Sequence, residues 1–284
     1  MPKKPPSRAG QHREPEKRHA RPHPPKIHAA GRDPARPAPP FRRPSAQVAV
    51  LYGFHAVREA LRAKRRRLLS LFATPAAAAR LEAESAAAGI VAQIVEPQDL
   101  DRRLGADSVH QGVLLEAEPL PVLSLDEIAS KSGLVLVLDQ ITDPHNVGAI
   151  IRTAAAFAVD ALVTTERHAP ELTGTLAKAA SGGLEHVAII SVVNLARALE
   201  ELGELGYWRV GLDSAGPIRL EDASLTRPVA LVLGAEDKGL RRLSRENCDV
   251  LARLDMPGAI KSLNVSNACA VALSLVRARL PDAT

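Results

Sequence analysis

Three short stretches of the 284-residue chain hold side chains able to act on a ligand: DPHNVGAIIRT at 143–153, LGAEDKGL at 233–240 and KSLNVSNACAVAL at 261–273. In the first, Asn146 reads either as the N-cap of a helix or as a ligand contact. Arg152 is the only charge between Asn146 and Asp160, in a segment rich in Ala, Ile and Val. An arginine so placed faces either solvent or, more characteristically, an anion. In the second, Gly234 directly follows an apolar run, and Glu236 and Gly239 lie in the turn. Leu240 follows Gly239 where a P-loop needs Lys and then Ser or Thr, and no GxGxxG follows any strand. A nucleotide-like ligand must therefore be held in another way; on their own, these glycines read equally as turn punctuation. In the third, Ser262, Asn264, Ser266 and Asn267 lead into a run from Ala268 to Val276 that only Ser274 interrupts. A helix without a polar face is a buried helix, and its first four amides have no intrahelical partner. The four small polar side chains satisfy some of those amides, and the rest are free for a ligand.

The patterning shows how these stretches are held together. LVLVLDQ at 134–140 is a continuous apolar strand of the kind a parallel sheet buries on both faces. DALVTTE, HVAIISV, YWRVGLD and VALVLGAE are further strands, another ends at Leu254, and helices are expected near 147–158, 171–180, 195–205, 240–246 and 265–279. Such alternation predicts an α/β fold, whose ligands sit beyond the carboxyl ends of the strands. Upstream, residues 47–118 read as a smaller α/β unit. It has a helix from about Phe54 to Ala63, one helix over PAAAARLEAESAAAG with Pro75 in its first turn and Gly89 at its stop, and a closing strand QGVLLEAE. Residues 119–132, with two prolines, read as a linker to a domain at 133–284.

Residues 1–46 contain 12 Lys or Arg against 3 acids and 12 of the 22 prolines, so their balance of +9 leaves −4 for the rest of a chain of net charge +5. Such a segment buries too little surface to offset chain entropy. It reads as a disordered basic arm that meets polyanions, nucleic acid first among them, or else as a solubilising extension. Cys248 and Cys269 fit neither a disulfide framework nor a CxxC metal site, and read as small buried hydrophobes in a reducing compartment. No apolar run reaches the roughly 18 to 20 residues that span a bilayer, and the N-terminus lacks a signal peptide's apolar segment. A cytoplasmic protein with no membrane partner is expected.

DPHNVGAIIRTA, LVLGAEDKGL and LDMPGAIKSLNVSNA, in that order and at these separations, resemble the three motifs of the SpoU or TrmH family of S-adenosylmethionine-dependent RNA ribose 2′-O-methyltransferases, within the SPOUT superfamily. The resemblance spans about residues 134–280. YGFHAVREAL, HQGVLLEAEP and AKAASGGLEHVAIISVVNLARAL are similar to the subgroup that methylates a guanosine in large-subunit (23S) ribosomal RNA, whose first domain is a small ribosomal-protein-like RNA-binding fold. Gly183 stands where that subgroup leads one to expect Ala. Two rivals keep parts of this reading: a transfer-RNA 2′-O-methyltransferase, and a non-catalytic RNA-binding assembly factor, which the three intact motifs disfavour.

The resemblance implies a SPOUT-type trefoil knot in a parallel-sheet catalytic domain, S-adenosyl-L-methionine bent within the knot, and a homodimer in which the last helix packs against a second subunit. It implies that Gly234, Leu254 and Leu263 contact the cofactor largely through backbone, with Met256 nearby, and that Asn146, Glu236, Ser262 and Asn264 position ribose and methionine groups. The resemblance gives Arg152 the role of a base assisted by a phosphate; the reading preferred here is that Arg152 grips an RNA phosphate and stabilises the developing alkoxide, since a guanidinium is effectively never deprotonated in proteins, and either role needs Arg152. No metal is required, and His145 reads as a turn residue. Aromatic residues make up only 2% of the chain, so RNA recognition cannot rest mainly on base stacking. Arg62, Lys64, Arg65, Arg66 and Arg67 form the densest basic cluster of the folded part and are candidate phosphate contacts; the alternative is a solvated loop.

Overall fold

The computed structural model describes residues 39–280 apart from Pro44, residues 129–132, His168, Thr173 and Asp237; the basic arm at 1–38 and the last four residues lie outside the described residues. The first unit runs β1 (Ala49–Tyr52), α1 (Phe54–Ala63), β2 (Leu68–Ala73), α2 (Pro75–Arg80), α3 (Glu82–Ala88), β3 (Ala92–Ile94), α4 (Pro97–Leu104) and β4 (Val113–Ala117). Its sheet has the order β1-β4-β2-β3, with β4 antiparallel to both neighbours and β3 parallel to β2. The single helix expected over 75–88 is two, because the chain breaks at Leu81, whose fully buried side chain turns into the core. The HQG turn ties the unit together. Gln111 Oε1 accepts from the Phe54 amide (2.8 Å), so it serves the start of α1, and His110 Nδ1 accepts from the Gly112 amide (3.0 Å). Gly112 has φ +78°, and a Cβ there would stand 2.5 Å from Thr74 Oγ1.

The fold includes residues before 47. Phe41, the only Phe, Tyr or Trp of the expected arm, packs its ring on Phe72 with centroids 4.6 Å apart. Beside it the Arg42 amide donates to Glu116 Oε1 at 3.0 Å. One aromatic side chain is enough to seat the end of the segment read as the arm.

The second unit runs β5 (Leu134–Asp139), α5 (Pro144–Ala156), β6 (Ala161–Thr165), α6 (Gly174–Ala180), β7 (Ala188–Val192), α7 (Leu195–Glu204), β8 (Trp208–Leu212), β9 (Ile218–Arg219), β10 (Val229–Gly234), α8 (Arg242–Glu246), β11 (Val250–Arg253) and α9 (Val265–Arg279). These strands form a seven-stranded sheet of order β7-β6-β5-β10-β8-β11-β9, parallel at every pairing. β5 is buried on both faces, as its unbroken apolar run predicts: Leu134, Leu136 and Leu138 enter one core layer, and Val135 and Val137 the other. The linker is partly structured, with a 3-10 turn at Leu125–Glu127 whose Leu125 is buried in the second layer.

α9 departs from expectation. Within one chain it buries Val265, Cys269, Ala272, Leu273 and Val276 and leaves Asn267, Val271, Ser274 and Ala278 exposed. One sheet and α5 can cover only one side of a helix, so a helix apolar all round keeps an open stripe in the isolated chain.

Candidate functional site

The three stretches meet. α5 is capped by Asp143, whose Oδ1 accepts from the His145 amide (2.8 Å), and this corrects the N-cap reading of Asn146. Asn146, so released, donates from Nδ2 to Glu236 Oε1 (3.0 Å). Asn264 Nδ2 donates to the same oxygen (2.7 Å) and to Asn146 Oδ1 (2.9 Å), and the Val265 amide adds a third donor to Glu236 Oε1 (3.1 Å). Asn264 Oδ1 meanwhile accepts from the Ser266 amide (3.0 Å) and hydroxyl (2.5 Å), which caps α9. One carboxylate oxygen thus joins the β10 loop to the N-terminal ends of two long helices, where backbone dipoles favour negative charge.

Two further features fix the β10 loop, and sequence reading missed the first. Asp139, fully buried at the end of β5, accepts from the Arg241 amide (2.9 Å) and from Arg241 Nε (2.5 Å). The only sequence signal is a carboxylate closing an apolar strand. Gly234 needs its missing side chain: a Cβ there would lie 2.1 Å from the Gly239 carbonyl carbon and 2.4 Å from the Leu240 nitrogen. The loop folds back there, the Gly239 amide donating to the Ala235 carbonyl (2.8 Å). Gly234→Ala must push main chain apart, so a loss of about 2 kcal/mol is expected, read as a fall of several degrees in the melting temperature, together with loss of ligand binding at the loop. A variant that melts like the parent would show that the loop gives way freely.

Leu254 and Met256 are partly buried, and Ser262 and Leu263 are exposed, in the segment that joins β11 to α9. Lys261 Nζ donates to the Met256 carbonyl (2.7 Å). Among the described residues, no main-chain amide from Asp255 to Leu263 donates a hydrogen bond. The segment therefore offers free backbone donors between apolar side chains, beyond the end of β11. That combination suits a flat heteroaromatic ring read through backbone.

Arg152 lies apart from the junction. It is on the same helix as Asn146, six residues on, which places it roughly 9 Å along the axis and about 240° around it. It is exposed and has no hydrogen-bond or ion-pair partner among the described residues. Behind it, a Cβ on Gly183 would stand 2.9 Å from the Ile151 carbonyl oxygen and 3.1 Å from Arg152 Cα. Glycine at 183, in place of the expected alanine, lets the turn after α6 press against the backbone that carries Arg152. The cysteines take no part: burial pushes the thiols of Cys248 and Cys269 up to about 12, so neither is a thiolate at neutral pH.

The basic cluster divides. Arg66 is not the solvent-facing contact that the basic run predicts: its side chain is 2% exposed and donates through Nε to the equally buried Glu185 (2.8 Å), tying the first unit to the second. Arg62 reaches Glu84 (2.7 Å), Arg67 reaches Glu118 (3.2 Å), and Arg65 donates to the Glu185 carbonyl (3.2 Å). Arg62, Lys64, Arg65 and Arg67 are exposed.

A parallel sheet with this site at its strand ends, preceded by a four-stranded unit, defines the class of SpoU methyltransferases. The AviRb enzyme of Streptomyces viridochromogenes, solved with AdoMet, superposes with a TM-score of 0.69 at 22% identity, over 82% of this chain and 91% of that one, which establishes the fold. The chain belongs to the SpoU rRNA methylase family, whose pattern matches residues 133–274, and the pattern for RNA 2′-O ribose methyltransferase substrate binding matches residues 50–123. It is 38% identical over 236 residues to the 23S rRNA (guanosine-2′-O-)-methyltransferase RlmB of Pectobacterium atrosepticum, covering 79% of this chain and 95% of that protein. The RlmB of Yersinia pestis is 39% identical over 243 residues, 81% of this chain and 97% of its own length.

Proposed function

We propose that this methyltransferase moves the methyl group of S-adenosyl-L-methionine to the ribose 2′-oxygen of a guanosine in 23S ribosomal RNA. It works in the cytoplasm as a homodimer, with its catalytic domain knotted as a trefoil and its first unit binding the RNA. The observation that carries the reading is the Asn146–Glu236–Asn264 junction, built by the three motif stretches, in a chain that covers nearly all of two relatives named for that reaction. Among the described residues, no helix is long and apolar enough to cross a membrane.

The cofactor supplies an electrophilic methyl carbon on a sulfonium. Gly234, Leu254 and Leu263 hold it through backbone, with Met256 alongside, and the free amides of 255–263 and the fold-back at Gly234 fit that task. Asn146, Glu236, Ser262 and Asn264 orient the ribose so that its oxygen faces the methyl carbon, and alignment of this kind accounts for much of the rate. Arg152 grips an RNA phosphate and stabilises negative charge on the 2′-oxygen as the hydroxyl releases its proton to solvent water. The dimer covers the exposed stripe of α9 at Asn267, Val271, Ser274 and Ala278, and the neighbouring exposed stripe of α5 that includes Arg152 and Ala156.

Mapping 2′-O-methylation in ribosomal RNA from a deletion strain tests the reading. One guanosine mark in 23S RNA should vanish and return when the gene is restored. An unchanged set of 23S marks would overturn the assignment, and a mark lost from transfer RNA would transfer it. The basic arm is assigned to the same RNA. Deleting residues 1–38 should weaken RNA binding and flatten the slope of log affinity against log salt, because fewer counterions are released, while the modified nucleotide stays the same. An unchanged slope would remove the arm from the interface.

A further inference from the structure

A cleft of about 1070 Å³ lies between the two units, away from the junction. It runs beside β1 and β7, each the edge strand of its sheet. Val50 and Tyr52 of β1, Leu120 of the linker and Ile189 of β7 contribute to its apolar wall, and Arg65, Arg66 and Arg103 contribute its cations. None of Asn146, Arg152, Glu236 or Asn264 lines it.

Its arginines are incompletely used. The Arg66 side chain is 2% exposed and spends Nε on Glu185, but among the described residues its buried Nη2 and the buried Nε of Arg103 have no hydrogen-bond partner, and neither has Oε2 of their partner acids Glu185 and Glu116. The charge of Arg66 is matched by Glu185, and that of Arg103 by Glu116 (3.7 Å), whereas among the described residues Arg65 donates only to a carbonyl oxygen. Buried donors without acceptors are rare and costly, so a ligand oxygen at this place is favoured. Guanidinium forks suit phosphate in particular. Two acids, Glu166 and Glu171, line the cleft on the second unit, beyond β6. They repel a phosphate and accept hydrogen bonds from hydroxyl and amino groups.

We propose that this cleft binds a nucleoside phosphate, with the phosphate at Arg65, Arg66 and Arg103, the base against the Tyr52 and Ile189 wall, and polar edges toward Glu166 and Glu171. The size is that of a small-ligand site and admits a nucleotide with room to spare. One source is an unpaired nucleotide of an RNA strand, which rests on the reading of the chain as an RNA methyltransferase; the other is a free mononucleotide, which does not.

Two probes separate the sources: GMP, followed by calorimetry, and a fluorescein-labelled single-stranded RNA hexamer, followed by anisotropy, each with the full-length protein. Arg65→Ala should weaken binding at least fivefold. The paired change Arg66→Leu with Glu185→Leu, which removes both buried charges together, should weaken it at least tenfold. Affinity for S-adenosylmethionine should stay within twofold in both. Ile189→Trp fills the cleft without touching a charge and should have the same effect, which keeps the test open if the paired variant does not fold. Loss of hexamer binding alone assigns the cleft to RNA, and loss of GMP binding alone assigns it to a free nucleotide. Both probes binding all folded variants within twofold of the parent would overturn the proposal, as would inorganic phosphate binding as tightly as GMP.

Discussion

Glu236→Ala is expected to lower methyl transfer by about two orders of magnitude or more, with only a small change in melting temperature. Its Oε1 accepts from Asn146 Nδ2, Asn264 Nδ2 and the Val265 amide, so its loss strands three donors from two helices. Hydrogen bonds to a charged group contribute about 1.5–3 kcal/mol each, and exposure of the junction places these at the lower end. The stability cost is smaller still, because water replaces the carboxylate at an exposed site. Activity suffers more, because loss of a positioned polar group at a reacting centre typically costs about 10²–10³ in rate. Glu236→Gln keeps an oxygen in place and removes the charge, so it should fall between the parent and the alanine variant. The measurement is single-turnover transfer of labelled methyl to ribosomal RNA at saturating cofactor. A Glu236→Ala rate within tenfold of the parent would mean that Asn146 and Asn264 hold their positions without the carboxylate.

That junction marks what could be read from the sequence and what could not. The unbroken run of β5, the strand ends and the polar entry to α9 are local patterns, and each places its residues where the fold has them. The junction joins residues 90 and 28 positions apart, and nothing local states that Asn146 faces Glu236 rather than its own helix terminus. Asp143, three residues earlier, takes the capping role because the helix starts at Pro144, a residue suited to the first helical position. Arg66 misleads for the same reason. Within a run of four basic residues it reads as surface, but its partner Glu185 lies 119 positions away and the pair is buried. Charge runs report composition, whereas burial is decided by which distant acid the fold delivers.

Arg152 poses the same problem at the level of the assembly, and the expected result is complementation. Arg152→Ala should abolish methyl transfer and leave S-adenosylmethionine binding within a fewfold of the parent, and Asn264→Ala should abolish transfer through the other half of the site. The junction and Arg152 lie on different sides of α5, and no described residue of the same chain pairs with that guanidinium. If Arg152 is the cation at the reacting oxygen, its place on the other side of α5 from the junction means that it serves a pocket elsewhere. The exposed stripes of α5 and α9 supply the contact if two copies pack along them, so that Arg152 of one subunit completes the site that Gly234, Leu263 and Asn264 build in the other. Two inactive parents, unfolded together and refolded, would then form mixed dimers with one site free of both lesions. Half of the randomly assorted dimers are mixed, and each carries one of its two sites intact, so activity should recover to about a quarter of the parent level. Labelled-methyl transfer before and after mixing reads this directly, with affinity tags on the two variants to confirm that mixed dimers formed. Recovery absent in confirmed mixed dimers would mean that each subunit completes its own site, and that Arg152 reaches the ribose by a movement of α5 within one chain.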